Sequence, residues 1–328
     1  MWKLLLAILA LAVALPAAAA PASAARKWVE LTARGPQLRA VAPDGVCPEA
    51  SLDGRTLRMH RREGPSAAFP ITVCQLLVPH GVRRAAIGDW SAPLLDQAPW
   101  VFARGNHEAC SRGGPGWFRL LDQAPQPSVC PSQSAPFRVR MGDTSLYVLD
   151  SADTDDTTAP AGLVKAFARQ LDVFGSELDS GKGWIVTHRP VWGLTPVARL
   201  GPLGPVEVGL NKTEQAAVRG RKLSGVQMIV SGHIHHFAAY DFGAQRPAQL
   251  VAGTGGDVGE PADSPKILAG LTSIDDMQAQ GFAFERYGYL LLERHGSDWT
   301  GDFRDLDDKA VASCRLHGRD LTCRRTGG

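Results

Sequence analysis

The sequence predicts an α/β fold: a two-sheet α/β sandwich preceded by a small β-rich N-terminal region and followed by a β-hairpin tail. Three observations carry this expectation. Short apolar runs at Trp100–Ala103, Trp184–Val186 and Val226–Val230 read as buried strands, and each is followed by residues that bear nitrogen or oxygen donors. Strand-like runs alternate with helical spacing, as in Leu163–Leu178, whose Leu, Val and Phe residues would pack on a sheet. Both ends of the mature chain show β-like runs punctuated by turn residues.

Taken in order, Met1–Lys3, the apolar run Leu4–Leu15 and the Ala-rich Pro16–Ala24 have the three parts of a secretory leader, with cleavage after Ala20 or Ala24. The alternative is an uncleaved anchor helix, but this run is short against the ~20 residues of a membrane span. No Cys follows closely to carry a lipid, so residues 1–24 are taken as a signal peptide, the product as periplasmic or secreted, and no stable membrane anchor is expected. Six cysteines, an even number, agree with an oxidising compartment. Fifteen pairings are open; joining neighbours (Cys47 to Cys74, Cys110 to Cys130, Cys314 to Cys323) would close short loops.

Residues 25–83, with KWVEL, LRAV, TLRMH and ITVCQLLV, form the β-rich N-terminal region, and residues 84–328 the main domain with its tail. Within the latter we expect a loop over Gly113–Gly116, a helix near Trp117–Leu121, and a strand pair at Phe137–Met141 and Ser145–Asp150. The Asp-rich SADTDD stretch that follows Asp150 reads as a surface turn, the alternative being that its carboxylates serve as substitute ligands. A helix over Asn211–Val218 would end in the basic Arg219–Leu223 cluster, where cations complement the helix dipole. A glycine turn at Gly253–Gly256 and β-rich segments at Tyr287–Glu293 and Cys314–Cys323 complete the order.

Three strings carry the chemistry: GNHE at Gly105–Glu108, THRP at Thr187–Pro190 and SGHIHHF at Ser231–Phe237. A parallel sheet exposes its site at the carboxyl ends of its strands, so donors distant in sequence can converge there. An Asn carbonyl and several imidazoles, without a thiol, suit Mn, Fe or Zn better than a structural zinc knot. Order, spacing and strand context together resemble the calcineurin-like metallophosphoesterases, whose pattern is an Asp-bearing strand end, GDxxD, GNH(D/E), a lone His after a strand, and GHxH. The resemblance implies a two-metal site that clamps a phosphoryl group and supplies a hydroxide nucleophile for phosphoester hydrolysis. It also implies that Asn106, His188 and His233 bind one metal, that His235 binds the other, and that His107 acts as general acid or charge stabiliser.

The carboxylate motifs are where this chain departs from the pattern. Before Asn106 the mature chain offers one GD, at Gly88–Asp89, and Asp89 cannot fill two roles. Only Trp90–Pro99 separates it from Trp100, whereas a parallel crossover takes about a dozen residues or more. Asp89 is therefore either the bridging carboxylate of a two-metal site or an incidental residue beside a deletion, which leaves one metal. Two functions follow: a dinuclear phosphoester hydrolase, or a phosphoesterase-fold protein that binds one metal or phosphate with little catalysis. Net charge is +2 and no basic stripe with interleaved aromatics occurs, so nothing points to nucleic acid. Substrate choice would lie in loops such as Ser111–Gly116 and Gly193–Gly209, while Trp117 and Trp192 read as core residues.

Overall fold

The computed structural model describes residues 26–42, 45–67, 69–87, 98–123, 130–197, 206–255 and 271–326. The leader, Asp89 and the last glycine of the Gly253–Gly256 turn lie outside them. Among the described residues no helix is long and apolar enough to cross a membrane.

The N-terminal strands are β1 (Lys27–Thr32), β2 (Gly35–Ala42), β3 (Glu49–Leu52), β4 (Arg55–Arg58), β5 (His60–Glu63), β6 (Thr72–Leu77), β7 (Ala85–Ala86) and β8 (Pro99–Trp100). Among the described residues they form one sheet in the order β5-β6-β2-β1-β8 and a smaller one, β4-β3-β7. Leu38, Ala40, Cys74, Leu76 and Ile87 make a small apolar core, and the Cys47–Cys74 disulfide fastens its edge. The Trp100–Ala103 run differs from expectation. It contributes only Pro99–Trp100, paired in parallel with Val29 and Glu30 of β1, to the N-terminal sheet. Pro99 has no N–H for a ladder, and Trp100 stacks on Phe102 with ring centroids 5.9 Å apart, so the run leaves the sheet instead of joining the central one.

Helix α1 (Gly114–Leu120) comes next, beginning inside the expected glycine loop because Pro115 suits a first helical turn, where a missing N–H costs nothing. The N-terminal region holds its far end. Arg39 Nη1 donates to Leu120 O (3.2 Å), Arg62 Nε to Arg119 O (3.0 Å), and Arg62 Nη2 to Phe118 O (3.1 Å) and to Asp122 O. These are carbonyls that a helix leaves without partners at its end.

The main sheet is built from β9 (Phe137–Met141), β10 (Thr144–Val148), β11 (Gly183–Val186), β14 (Val226–Ser231), β15 (Phe237–Asp241), β16 (Ala248–Ala252), β17 (Leu271–Ile274) and β18 (Met277–Phe284). A separate hairpin pairs β12 (Gly193–Val197) with β13 (Val206–Leu210). Helices α2 (Ala161–Phe174), α3 (Glu177–Ser180) and α4 (Lys212–Val218) intervene. Sheet order among the described residues is β17-β18-β15-β16-β14-β11-β10-β9. Its middle, β10-β11-β14-β16, is parallel throughout.

Adjacent residues of each strand face opposite sides. Tyr147, Ile185, Ile229 and Ala238 pack with Phe167, Leu171 and Val218 under α2 and α4. Leu146, Trp184, Met228 and Phe237 pack instead against Phe303, Ala312, Cys314, Leu316 and Leu321 of the C-terminal meander. That meander, β19 (Gly288–His295), β20 (Asp298–Asp305), β21 (Ala310–His317) and β22 (Asp320–Arg325), is the second sheet of the expected sandwich, larger than the hairpin read from the sequence. Trp117 and Trp192 are buried, as core residues.

Candidate metal centre

The parallel strands β10, β11, β14 and β16 all end at one edge of the sheet, so the segments after them emerge together: Asp150 onward, Thr187–Pro190, Ser231–Phe237 and Gly253 onward. Backbone bonds join these loops. Gly232 N donates to His188 O (3.0 Å), and Gly253 N to His236 O (3.3 Å). A side chain at Gly253 would put its Cβ 1.9 Å from Ile234 O, so close chain packing accounts for this glycine. His233 has φ +67°, a left-handed backbone uncommon outside glycine and concentrated at functional sites.

GNHE reaches the same edge from outside the sheet. Arg104, 1% exposed, donates to Glu108 O (2.8 Å) and Ser132 O (3.0 Å) and pairs with Asp150 Oδ2 at 3.1 Å. Burial raises the Asp150 carboxyl even though backbone N–H groups and Arg104 pull it down. Cys110–Cys130 braces the loop, with Arg104 Nη2 3.5 Å from the Cys110 sulfur. The other two disulfides also join neighbours, Cys47 to Cys74 and Cys314 to Cys323. Gly105 is required by what it faces, because a Cβ there would fall 2.7 Å from the His188 ring.

These contacts bring the three motifs together. His188 Nε2 lies 2.9 Å from Asn106 Oδ1, and the His188 and His233 rings are 5.1 Å apart, edge to face. His235 follows two residues later, half-buried. His107 is exposed on the turn Asn106–Glu108. Burial first, then the nearby His233, Arg189 and His107, hold the His188 imidazole down to about 3, against a smaller opposing pull from Asp156. The ring is therefore neutral at physiological pH, with a lone pair to give. Asp89 lies outside the described residues.

The SADTDD stretch is not a plain surface turn, and here the structure corrects the sequence reading. Asp156 Oδ1 and Oδ2 lie 3.1 and 3.3 Å from His233 Nε2, and the Arg189 guanidinium pairs with the same carboxylate. Burial opposes ionisation of Asp156, but hydrogen bonds from His233 and Arg189 outweigh it and hold the carboxyl at about 2. Arg189 Nη1 also lies 3.2 Å from His233 Nε2. This one nitrogen either donates to Asp156 or accepts from Arg189, according to its tautomer. Ser151 secures the arrangement, accepting from Arg189 N (2.9 Å) at its hydroxyl and from Arg189 Nε (3.2 Å) at its carbonyl. The backbone of Asp156 is fixed as well, its carbonyl accepting from Asn211 N (2.8 Å) and Lys212 N (3.1 Å). The signal that could have found this residue is its place: it follows β10, a parallel neighbour of the strand that ends in His188.

Among the described residues no three His, Cys, Asp or Glu side chains are gathered as a metal-holding group. The donors come as touching pairs, His188 with Asn106 and His233 with Asp156. Both pairs are at hydrogen-bond distance, which is also the separation, about 3 Å, of adjacent ligands of an octahedral ion such as Mn. Neutral imidazole, carboxamide and carboxylate form a donor set that fits Mn, Fe or Zn.

Residues 77–237 match the model of the calcineurin-like phosphoesterase family. No curated protein matches the chain. Similar solved structures include PhoD, with 16% identity and a TM-score of 0.44 over 63% of this chain and 47% of that one. They also include the purple acid phosphatase PPD1 from yellow lupin (Lupinus luteus) seeds, with 11% identity and a TM-score of 0.49 over 92% of this chain and 74% of that one. GAP50, the anchor in the inner membrane complex of Plasmodium, shares 10% identity and a TM-score of 0.33 over 57% of this chain and 53% of that one. The chain spans about half the length of the PhoD structure it matches. The segment 77–237, in which GNHE, THRP and GHIH meet at one sheet edge, belongs to the calcineurin-like phosphoesterase family.

Proposed function

We propose that the chain is a metal-dependent phosphoester hydrolase. The observation that carries this is the meeting of Asn106, His188 and His233, from three separate segments, at the carboxyl ends of parallel strands. In this reading Asn106, His188 and His233 hold one Mn, Fe or Zn ion, His235 serves a second, and Asp89 is the bridging carboxylate if two are bound. A bound divalent ion would supply Lewis-acid charge to the phosphoryl oxygens and acidify a water. Burial keeps the His188 imidazole neutral, which suits it to ligation. His107, exposed beside Asn106, protonates the leaving oxygen or steadies charge on the phosphoryl group.

The substrate is a phosphoester, most simply a small molecule, selected by the loops around the site. Three disulfides support a periplasmic or secreted location after removal of residues 1–24. Residues 25–83 then form an N-terminal region and residues 84–328 the hydrolase domain with its C-terminal sheet. The test is hydrolysis of p-nitrophenyl phosphoesters by the mature chain with added Mn, Fe or Zn, alongside elemental analysis. Metal-dependent turnover that falls at least about 100-fold in His188→Ala supports the reading. Metal uptake without turnover selects the alternative, a phosphoesterase-fold protein that binds one ion or phosphate. Two ions per chain and loss of turnover in Asp89→Asn would make Asp89 the bridge.

A further inference from the structure

We infer that Asp156, of the loop that follows β10, is a carboxylate ligand of the metal centre and supplies negative charge that Asn106, His188 and His233 do not. This rests on the metal-dependent reading above. Asn106, His188 and His233 are all neutral donors when they ligate, so an ion held by them alone keeps its full double charge at a half-buried site, a costly arrangement. A carboxylate within reach offsets that charge. Asp156 presents both oxygens to His233 Nε2, at 3.1 and 3.3 Å, a contact close enough for the two side chains to be adjacent ligands of one octahedral ion.

The position of Asp156 is also built rather than incidental. Its carbonyl is held by Asn211 N and Lys212 N, and the preceding Thr154 is fixed by bonds to Ser151 O (2.8 Å) and to Glu214. Ser151 binds Thr187 Oγ1 (2.9 Å) and Arg189 N (2.9 Å), so the Asp-rich loop and the His188 loop are joined as one piece. Arg189, which pairs with Asp156, shows that this carboxylate already partners a cation at the His233 nitrogen. Asp156 and His233 would hold the ion in place of that ion pair, and the Arg189 guanidinium would then be free to meet an anionic substrate oxygen.

The test is equilibrium binding of Mn²⁺ to the mature chain, followed by the electron paramagnetic resonance signal of the free ion. It compares wild type, His188→Ala, Asp156→Asn, Asp156→Ser and, from the same loop, Asp153→Asn. Asn keeps a hydrogen-bond acceptor for His233 but loses the charge, so a residue that merely orients the ring would tolerate it. We expect the Asp156 variant that melts with wild type to bind Mn²⁺ at least about tenfold more weakly, as His188→Ala does, while Asp153→Asn binds like wild type. Asp156 variants that titrate within about twofold of wild type, beside a weakened His188→Ala, overturn the assignment and leave the metal-dependent reading intact. A wild-type chain that takes up no Mn²⁺, Fe²⁺ or Zn²⁺ overturns both.

Discussion

Among the described residues, a cluster of buried charge in the N-terminal region and another at the edge of the central sheet spend their polar atoms differently. Glu30, Arg39 and Arg62 are at most 9% exposed, with Glu30 3.5 Å from Arg39. Burial pushes the Glu30 carboxyl up to about 7 although Arg39 and Arg62 pull it down, and burial lowers Arg62 to about 10. The guanidinium groups are directed at main-chain carbonyls from Phe118 to Asp122. At the sheet edge, by contrast, Asn106, His188, His233, Asp156 and Arg189 face one another. Burial of charge therefore does not mark a site. A cluster consumed by backbone is scaffold, whereas one whose side chains hold each other can exchange those partners for a ligand.

The largest effect expected from breaking this contrast is on the scaffold side. Arg62→Ala strands the carbonyls of Phe118 and Arg119, leaves Asp122 O to Arg39, and deprives Glu30 of one of its two positive neighbours. Losing one partner of a buried charged network costs about 3–5 kcal/mol, or roughly 10 °C in melting temperature for a chain of this size. Turnover per folded molecule should hold at temperatures well below the melt. Calorimetry with an activity assay checks this, and a variant that melts with wild type but loses turnover would erase the distinction between the clusters.

The reverse pattern is expected at the sheet edge. His188→Ala removes a ligand but leaves the backbone bond from Gly232 N to residue 188 in place, so it should lower turnover at least about 100-fold, near 3 kcal/mol of barrier. The melting temperature should move by about 2 °C or less without added metal. A steady-state assay and a thermal melt on the same sample decide it. A large loss of stability would place His188 with the scaffold.

Much of this was legible in the sequence, for identifiable reasons. THRP and GHIH follow apolar runs long enough to be strands, so their convergence could be read from a parallel sheet rule. GNHE meets them through Asn106 and His188, although its own run is not a strand of that sheet. Its position instead depends on Arg104, whose bonds to Asp150 and Ser132 reach far along the chain and leave no local pattern. Asp156 reads first as part of a surface turn because a run of Asp, Thr and Ser has turn composition whether it meets solvent or a histidine. Only its register after β10 separates the two cases, and register depends on which strands pair. The arginines that hold α1 were equally hidden, since burial of a guanidinium against helix carbonyls has no periodic signature.

A smaller effect separates two of the disulfides. Cys110–Cys130 and Cys314–Cys323 close loops with sequence separations of 20 and 9, and removing either should cost about 3 kcal/mol or somewhat less. Cys110 lies two residues beyond Glu108 with Arg104 at its sulfur, so Cys110→Ser should also lower turnover several-fold by loosening Asn106. Cys323 faces Cys314 across β21 and β22, where the strand ladder keeps the register without the bridge. Cys323→Ser should thus lose stability and keep its kcat. Equal effects on kcat would show that the brace at the GNHE loop is not felt at the site.

A third kind of buried charge is suppressed instead of paired, and its effect is read only as a slope against pH. Glu214 is 0% exposed, with Thr154 as its side-chain partner, and burial pushes its carboxyl from 4.5 up to about 8. The folded chain therefore binds this proton more tightly than the unfolded chain. The resulting stability is whole below about pH 4.5 and is lost as pH rises through about 8, since ionising the group in place costs free energy. Gln cannot titrate, so Glu214→Gln should flatten the fall of melting temperature between pH 5 and 8, by at most about 1.4 kcal/mol per pH unit. Melts at several pH values compare the two slopes. Parallel slopes would mean that Glu214 is ionised in the folded chain and draws on Arg189, which would extend the exchangeable network one residue deeper than Asp156.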